Sequence, residues 1–272
     1  MRAGLRAANI RAVTAALAQI PMPEWQRVAR QNPEWRRFRG LYPRLRYGPL
    51  ATGMMMAGLN AYQLKGDPDT GYWTELPALL RRLPLPRSPH ALHGRLRGYF
   101  AAQRLPVGKL RRLSRFLGSE CAARIWAASP REVRERIPAI WHELAQTMQQ
   151  RPRAKTVCFA MKCLGVSVRI AACPLAQIEI PIPVDARILR LTLRLRLCTR
   201  TSERVVQEAW RRVLFLLQHR LARLTMIELD SLLWQIGALP PHRTLAFFQR
   251  LQSEPTGRAF VALLHEQDTG RR

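Results

Sequence analysis

The chain has 272 residues and carries 45 Lys and Arg against 18 Asp and Glu, which gives a formal net charge of +27. Hydrophobic residues make up 47% of it, which is enough for a packed core and argues against a disordered chain. The length suits one large domain or two small ones. A charge of this size is informative about partners rather than fold, and the expected partner is a polyanion, meaning nucleic acid or an anionic membrane surface.

Lysine is rare among the basic residues. The four lysines are Lys65, Lys109, Lys155 and Lys162, and the remaining 41 basic residues are arginine. Coding bias is one explanation of this preference. An individual lysine nevertheless stands out in such a chain, because arginine cannot lose its proton and cannot act as an amine nucleophile.

Composition also argues against several classes of protein. The longest uncharged stretch, residues 48–64, contains polar residues and falls short of the ~20 apolar residues of a membrane span. The five cysteines are Cys121, Cys158, Cys163, Cys173 and Cys198. Their odd number and the absence of a CxxC pair argue against a disulfide framework, a zinc site or an iron–sulfur cluster, so we expect a reducing compartment and a cytoplasmic protein. His90 and His93 lack a third ligand nearby, and we interpret them as surface-loop residues, with no metal and no cofactor.

Helical patterns dominate from the N-terminus onward. Apolar residues keep helical spacing through residues 10–20, which predicts a first helix rather than a targeting segment. Ser129, Pro130 and Glu132 form the pattern of a capping box, and Pro138 predicts that a further helix starts there. Prolines mostly separate the periodic segments. The sequence therefore predicts an all-α chain of many short helices.

Residues 189–197 (LRLTLRLRL) alternate strictly between apolar and polar side chains, which is typical of a half-buried strand. Leucine and arginine, however, favour helix, and Asp185 is well placed as an N-cap. We therefore predict a helix at this position. A long helix is predicted to begin near Ser202, and Gly118 and Gly237 are predicted to end helices.

Lys162 is the one charged residue in the apolar run VCFAMKCLGV, residues 157–166. A helix that is apolar all round is a buried helix. Burial lowers the pKa of a lysine and favours the free amine, which is the nucleophile of Schiff-base chemistry. In the alternative interpretation, the stem of the side chain packs while the ammonium group reaches solvent.

Asp185 follows a stiff segment, because Pro181 and Pro183 in IEIPIPVDAR hold the chain extended. One interpretation is an ordinary N-cap of the following helix. The other is a carboxylate held rigidly beside the lysine, where it could accept the proton of the amine or stabilise positive charge that develops on a sugar.

Three sequence blocks together resemble one protein family. They are Lys155-Thr156-x-x-Phe159-x-x-Lys162, then Ile180-Pro181-Ile182-Pro183-Val184-Asp185-x-Arg187, then Leu229-Asp230-x-Leu232-Leu233-Trp234. Their residues and order are similar to the archaeal GO glycosylases (AGOG), a divergent branch of the helix–hairpin–helix DNA glycosylases. Members of this family excise 8-oxoguanine and then cleave the DNA at the abasic site. The similarity extends from Arg27 to the C-terminal helix.

The resemblance implies an all-α fold with two helical subdomains, a helix–hairpin–helix-type DNA-binding element and an active-site cleft between the subdomains. Residues 1–80 are expected to pack with the C-terminal helical part, residues 186–272. Residues 81–185 are expected to form the hairpin-bearing catalytic subdomain. The implied partner is double-stranded DNA containing oxidised guanine, bound by a monomer without a membrane.

The resemblance also implies roles for individual residues. The Schiff-base lysine of the family falls on Lys162 and its catalytic aspartate on Asp185. The residues implied to line the base pocket are Glu34, Trp73, Val166, Asp230 and Trp234, and those expected to bind DNA are Arg153, Lys155 and Arg187. Aromatic faces and hydrogen-bond acceptors suit a flipped base. Core packing is the alternative interpretation of Trp73 and Trp234.

The chain departs from the family pattern at three places. Glu34, in Asn32-Pro33-Glu34-Trp35, stands where the family has glutamine, Val166 stands where it has an aromatic residue, and residues 145–156 contain no glycine. A carboxylate accepts hydrogen bonds from a guanine-type base, but a neutral amide can also donate. Two alternatives therefore stay open, a glycosylase for a different damaged base and a non-catalytic all-α DNA- or RNA-binding protein. The second accounts for the charge and the helices but not for the isolated Lys162.

Overall fold

The structure is a computed structural model that describes residues 4–175 and 180–265. The helices are α1 (Ala7–Leu17), α2 (Met22–Gln31), α3 (Pro33–Phe38), α4 (Tyr42–Leu45), α5 (Tyr47–Asn60), α6 (Tyr72–Arg82), α7 (Pro89–Ala101), α8 (Pro106–Leu117), α9 (Glu120–Ala127), α10 (Pro130–Met148), α11 (Lys155–Ile170), α12 (Ala186–Arg194), α13 (Glu203–Gln218), α14 (Met226–Ile236), α15 (Pro241–Arg250) and α16 (Glu254–His265). A 3₁₀ turn spans Arg39–Leu41. The described residues contain no strand beyond one isolated bridge between Leu5 and Cys198, which confirms the all-α prediction.

The described chain divides into two compact units. The first combines the N-terminal segment through Arg30 with the chain from Pro181 onward, and the second is Gln31–Ile180. This division differs from the boundary expected at residue 80, because residues 31–80 group with the second unit. The reason is packing, since α5 lies against α11 along much of its length.

In the first unit, α1 packs on α13 and α16, and α12 packs on α14. Large aromatic side chains are fully enclosed there, among them Trp25, Trp210, Phe248 and Phe260. Residues 189–194 of the alternating segment lie in the helix α12, as predicted, and the helix ends before residues 195–197. Its apolar face through Ile188 and Leu191 is buried, and the buried Thr192 hydroxyl donates to the Ile188 carbonyl and accepts from the Trp210 indole N–H at 2.8 Å.

In the second unit, α5 is buried along nearly its whole length and contacts α11 closely. Gly58 permits this approach, because a Cβ at that position would lie 2.8 Å from the Ala160 Cα and 3.0 Å from the Cys163 Sγ. The glycine therefore brings the helix that carries Lys162 into backbone contact with its neighbour.

The structure confirms most of the predicted helix ends and corrects two details. Ser129 and Glu132 form the predicted capping box at the start of α10, and α8 and α14 end at Gly118 and Gly237. The prediction of a helix start at Pro138 was wrong, since α10 runs through it. Pro138 lies on the exposed face, where water can satisfy the carbonyl that its missing N–H leaves unbonded.

The interpretation of His90 and His93 as loop residues was also wrong. Both lie in α7, with their rings stacked at a centroid distance of 6.2 Å. The described cysteines are all free thiols, as predicted. Among the described helices, none is both long enough and apolar enough to cross a membrane.

Candidate active site

Lys162 lies in the middle of α11, and only 5% of its side chain is exposed. The helix is buried on every side in this region, as its apolar sequence predicts. The Nζ atom lies 2.7 Å from the Oε1 atom of Glu34 and 5.5 Å from the centroid of the Phe159 ring. The amine is therefore held inside the second unit, beside a carboxylate and an aromatic face.

The short helix α3 positions Glu34. Asn32 precedes the helix in extended geometry and Pro33 occupies its first turn, so that Glu34 lies near the helix N-terminus. The side chain of Glu34 is buried, and its Oε1 atom also accepts from the Asn32 amide at 3.3 Å. Because α3 packs on α11, the carboxylate reaches the lysine.

Trp73 belongs to an aromatic cluster next to the lysine. Its ring is edge-on to that of Phe159, with a centroid distance of 6.0 Å, and to those of Phe38 and Tyr72 at 6.2 and 5.2 Å. The Tyr72 hydroxyl donates to the Ala57 carbonyl at 2.7 Å. These contacts fix the indole by packing. Its contact with Phe159 also links it to the Lys162 side chain.

Val166 lies one turn after Lys162 on α11 and is fully buried. A small apolar side chain therefore stands at the position where the resemblance implies an aromatic residue. A valine offers no stacking face to a base.

Asp185, in the first unit, caps α12. Its Oδ1 atom accepts hydrogen bonds from the backbone N–H groups of Arg187 and Ile188, both at 2.9 Å. The predicted N-cap is therefore confirmed, and it orients the carboxylate rigidly at the helix N-terminus. The side chain is half-buried. Its catalytic role stays a prediction.

Asp230 and Trp234 lie on α14, which opens with a capping box formed by Thr225 and Glu228. Asp230 is buried and Trp234 is half-buried. The guanidinium carbon of Arg187 lies 4.2 Å from the Trp234 ring centroid, a cation–π contact between α12 and α14. The residue expected to bind DNA therefore covers part of a residue expected to bind the base.

The connection from α10 to α11 forms a tight turn without glycine. Gln149 adopts the left-handed conformation with φ 51°, a region that glycine usually occupies. The Gln150 N–H donates to the Ala145 carbonyl at 2.9 Å, and the Trp141 indole donates to the Pro152 carbonyl at 2.6 Å. These hydrogen bonds stabilise the turn, although Gln149 rather than glycine occupies the left-handed conformation. Arg153 and Lys155 are exposed at this turn.

The second unit thus brings together Glu34, Lys162 and Trp73, while the first unit brings together Asp185, Arg187 and Trp234. Sequence reasoning did not predict the ion pair between Glu34 and Lys162.

Sequence reasoning also missed the burial of Lys109, which is fully buried. The rarity of lysine in this chain was the sequence feature that could have drawn attention to Lys109. Among the described residues, no group of three His, Cys, Asp or Glu side chains could hold a metal ion.

One protein family and one solved structure match this chain over most of its length. The AGOG family model, described as N-glycosylase/DNA lyase, matches residues 14–254. The fold is similar to that of Pa-AGOG, the 8-oxoguanine DNA glycosylase from Pyrobaculum aerophilum, solved in complex with 8-oxoguanosine. The TM-score is 0.70 at 19% sequence identity, over 95% of this chain and 96% of that chain.

An all-α chain whose sequence matches this family model over most of its length is a DNA glycosylase. The chain belongs to the AGOG family. The likeness to the Pyrobaculum aerophilum structure, at 19% identity, supports the fold.

Proposed function

We propose that this chain is a bifunctional base-excision repair enzyme that removes 8-oxoguanine from double-stranded DNA and then cleaves the strand at the abasic site. The observation that carries the proposal is the position of Lys162. It is a buried amine in an apolar helix within the matched region, and the sequence resemblance implies that it is the Schiff-base lysine. A buried lysine is the residue type that Schiff-base chemistry requires.

In the proposed reaction, the neutral Nζ of Lys162 attacks C1′ of the damaged nucleotide. The bond from Nζ to C1′ forms, and the bond from C1′ to the base breaks with its electron pair leaving on the base. Opening of the sugar ring then gives the Schiff base, as the ring oxygen takes a proton from the nitrogen. The C2′ proton of this Schiff base is acidic, so β-elimination releases the 3′ phosphate. Asp185 is proposed to stabilise positive charge on the sugar or to accept a proton.

The proposed DNA-binding surface uses the arginine-rich exterior and the turn between α10 and α11. Arg153 and Lys155 are exposed there, and we propose that the two helices with their short connection serve as the helix–hairpin–helix-type element. Basic side chains and backbone N–H groups at such a turn bind phosphates. A net charge of +27 supplies the nonspecific attraction to DNA.

The residues proposed to contact the base are Trp73 and Glu34 in the second unit and Trp234 and Asp230 in the first, with the tryptophans as stacking faces and the acids as acceptors. These residue types match the demands of a flipped guanine-type base, which presents a π-face and N–H donors. Glu34 and Val166 also favour a second candidate, a glycosylase of the same chemistry with a different damaged base. They replace the amide and the aromatic residue with which the family contacts its base.

Borohydride trapping tests the proposal. We expect a covalent adduct with duplex DNA containing 8-oxoguanine and none with undamaged duplex. Lys162→Gln should abolish the adduct, while Lys65→Gln, which alters an exposed lysine, should retain it. An adduct with another lesion alone would support the second candidate. Tight DNA binding without an adduct on any lesion would refute Schiff-base catalysis.

A further inference from the structure

We infer that Glu34 is a catalytic proton acceptor, which takes the proton of the Lys162 ammonium group and so produces the attacking amine. The inference deepens the proposed function, because it assumes that Lys162 is the nucleophile. It assigns Glu34 a role in making the nucleophile, in addition to any contact with a base.

The geometry places the two groups for direct proton transfer. The distance from the Lys162 Nζ to the Glu34 Oε1 is 2.7 Å, which is within the range of a short charge-assisted hydrogen bond. Each side chain is about one-twentieth exposed or less. The Asn32 amide donates to the same oxygen and holds it in place. A general base has to lie within hydrogen-bond reach of the proton it takes, and Glu34 does.

The electrostatics of the pair also favour this role. A carboxylate next to a lysine stabilises the ammonium form, so Lys162 must lose a proton before it can attack. A dry site penalises an ionised pair through desolvation. Transfer of the proton from Nζ to Oε1 turns the ion pair into a neutral amine and a neutral carboxylic acid. The net charge of the site does not change, and no solvent molecule has to take part.

The other carboxylates on the second-unit helices packed against α11 are engaged elsewhere, and α10 also carries the half-buried His142. On α10, Glu132 caps the helix, Glu135 pairs with Arg131 and Arg134, and Glu143 pairs with Arg124 and Arg136. On α5 the one ionisable side chain is Tyr47, whose pKa is raised by burial. On α3 the remaining charged residues are Arg36 and Arg37, which cannot accept a proton.

The nearest ionisable groups on α11 itself are the thiols of Cys158 and Cys163, both buried, and Tyr72 on the neighbouring α6 has its pKa raised by burial. The Glu34 carboxylate lies in direct contact with the amine. The family's glutamine could not take this role, because an amide does not accept a proton at neutral pH.

The experiment compares wild type, Glu34→Gln and Glu34→Asp in single-turnover borohydride trapping across a pH series. Duplex DNA containing 8-oxoguanine reports base excision, and duplex containing an abasic site reports Schiff-base formation alone. Glu34→Gln keeps an oxygen acceptor beside Nζ but cannot take its proton. Its rate on both substrates should fall by roughly 10²–10⁴-fold near neutral pH. That rate should rise with pH as hydroxide replaces the carboxylate, and Glu34→Asp should recover part of the loss.

Two controls separate catalysis from structure. Affinity for undamaged duplex and the thermal unfolding midpoint should stay close to wild type in Glu34→Gln. A rate for Glu34→Gln that equals the wild-type rate would overturn the inference. So would a rate above wild type near neutral pH, because Glu34 would then merely hold the amine in its protonated form.

Failure of the proposed function has a different signature. If wild type forms an adduct with the abasic site but not with 8-oxoguanine, the substrate assignment fails and the Glu34 comparison still stands. If wild type forms no adduct at all, the proton can be followed by nuclear magnetic resonance, since only four lysine side chains need assignment. A hydrogen bond between the two groups predicts that Glu34→Gln shifts the signal of the Lys162 Nζ. A Lys162 signal that is the same in wild type and Glu34→Gln would overturn the inference.

Discussion

The guanidinium of Arg187 lies 4.2 Å from the ring centroid of Trp234, and this contact joins the helix that Asp185 caps to the helix that carries Asp230. The contact is local to the first unit. It gives Arg187, expected from sequence to bind DNA, a structural role next to Trp234, which is proposed to contact the base.

A double-mutant cycle measures that contact. We expect Arg187→Ala and Trp234→Ala to show a coupling free energy of about 0.5–1 kcal/mol in urea unfolding, because the pair is partly desolvated. The pair Arg212 and Phe215 is the matched control, at 5.1 Å with Phe215 44% exposed. Its coupling should be smaller, and equal couplings would contradict the expected effect of burial.

Substitutions of Asp185 separate its capping role from its proposed catalytic role. Asp185→Ala removes the acceptor of two backbone N–H groups and should lower the free energy of unfolding by about 1 kcal/mol. Asp185→Asn keeps the cap and should leave stability near wild type. Both variants should lose most of the trapped adduct. Full activity in Asp185→Asn would show that the cap alone matters.

The close packing of α5 on α11 should be sensitive to one added methyl group. Gly58→Ala places a Cβ 2.8 Å from the Ala160 Cα, so the two helices must move apart, at a cost of about 1–3 kcal/mol. The trapping rate should fall as well, since Lys162 lies on the displaced helix. Gly94→Ala on α7 is the control, because a Cβ there meets open space. It should be neutral or slightly stabilising.

Lys109 should make stability depend on pH. It is fully buried, its Nζ lies 5.4 Å from the Tyr62 ring centroid, and that nitrogen has no hydrogen-bond partner within the described residues. Burial, reinforced by Arg104 and Arg112, lowers its pKa below the ordinary value of 10.5. Between the lowered pKa and 10.5 the unfolded chain binds more protons than the folded chain, so the free energy of unfolding should rise with pH.

Substitution by an apolar residue tests this assignment. Lys109→Met should raise the free energy of unfolding near neutral pH by about 1–3 kcal/mol, because it removes a buried cation without a hydrogen bond. The rise of stability with pH should disappear in the same variant. Lys65→Met, at an exposed position, should change stability little. A destabilised Lys109→Met protein would show that the ammonium group is stabilised by its aromatic neighbours.

Salt dependence tests the proposed phosphate contacts. The logarithm of the association constant for duplex DNA should fall linearly and steeply with the logarithm of salt concentration, because bound cations are released from DNA. Fluorescence anisotropy with the Lys162→Gln variant measures binding without turnover. Arg153→Gln should reduce the slope by about 1 if Arg153 contacts a phosphate. A flat response would contradict binding through the +27 charge.

Local sequence patterns were sufficient for the helical class, for the capping box at Ser129, for the N-cap at Asp185 and for the burial of Lys162. Each depends on residues within a few positions of one another, so side-chain chemistry and helical periodicity are enough to predict them. The same holds for residues 189–197, where helix propensity prevailed over the alternating pattern.

Features that join distant parts of the chain required the folded structure. The pairing of Lys162 with Glu34 depends on α3 packing against α11, and the burial of Lys109 depends on its helix's neighbours. The grouping of residues 31–80 with the second unit follows from the contact that Gly58 allows. The sequence shows which side chains are unusual. The partners of these side chains are determined by long-range packing, because a side chain becomes buried and meets a distant residue only when the helices assemble.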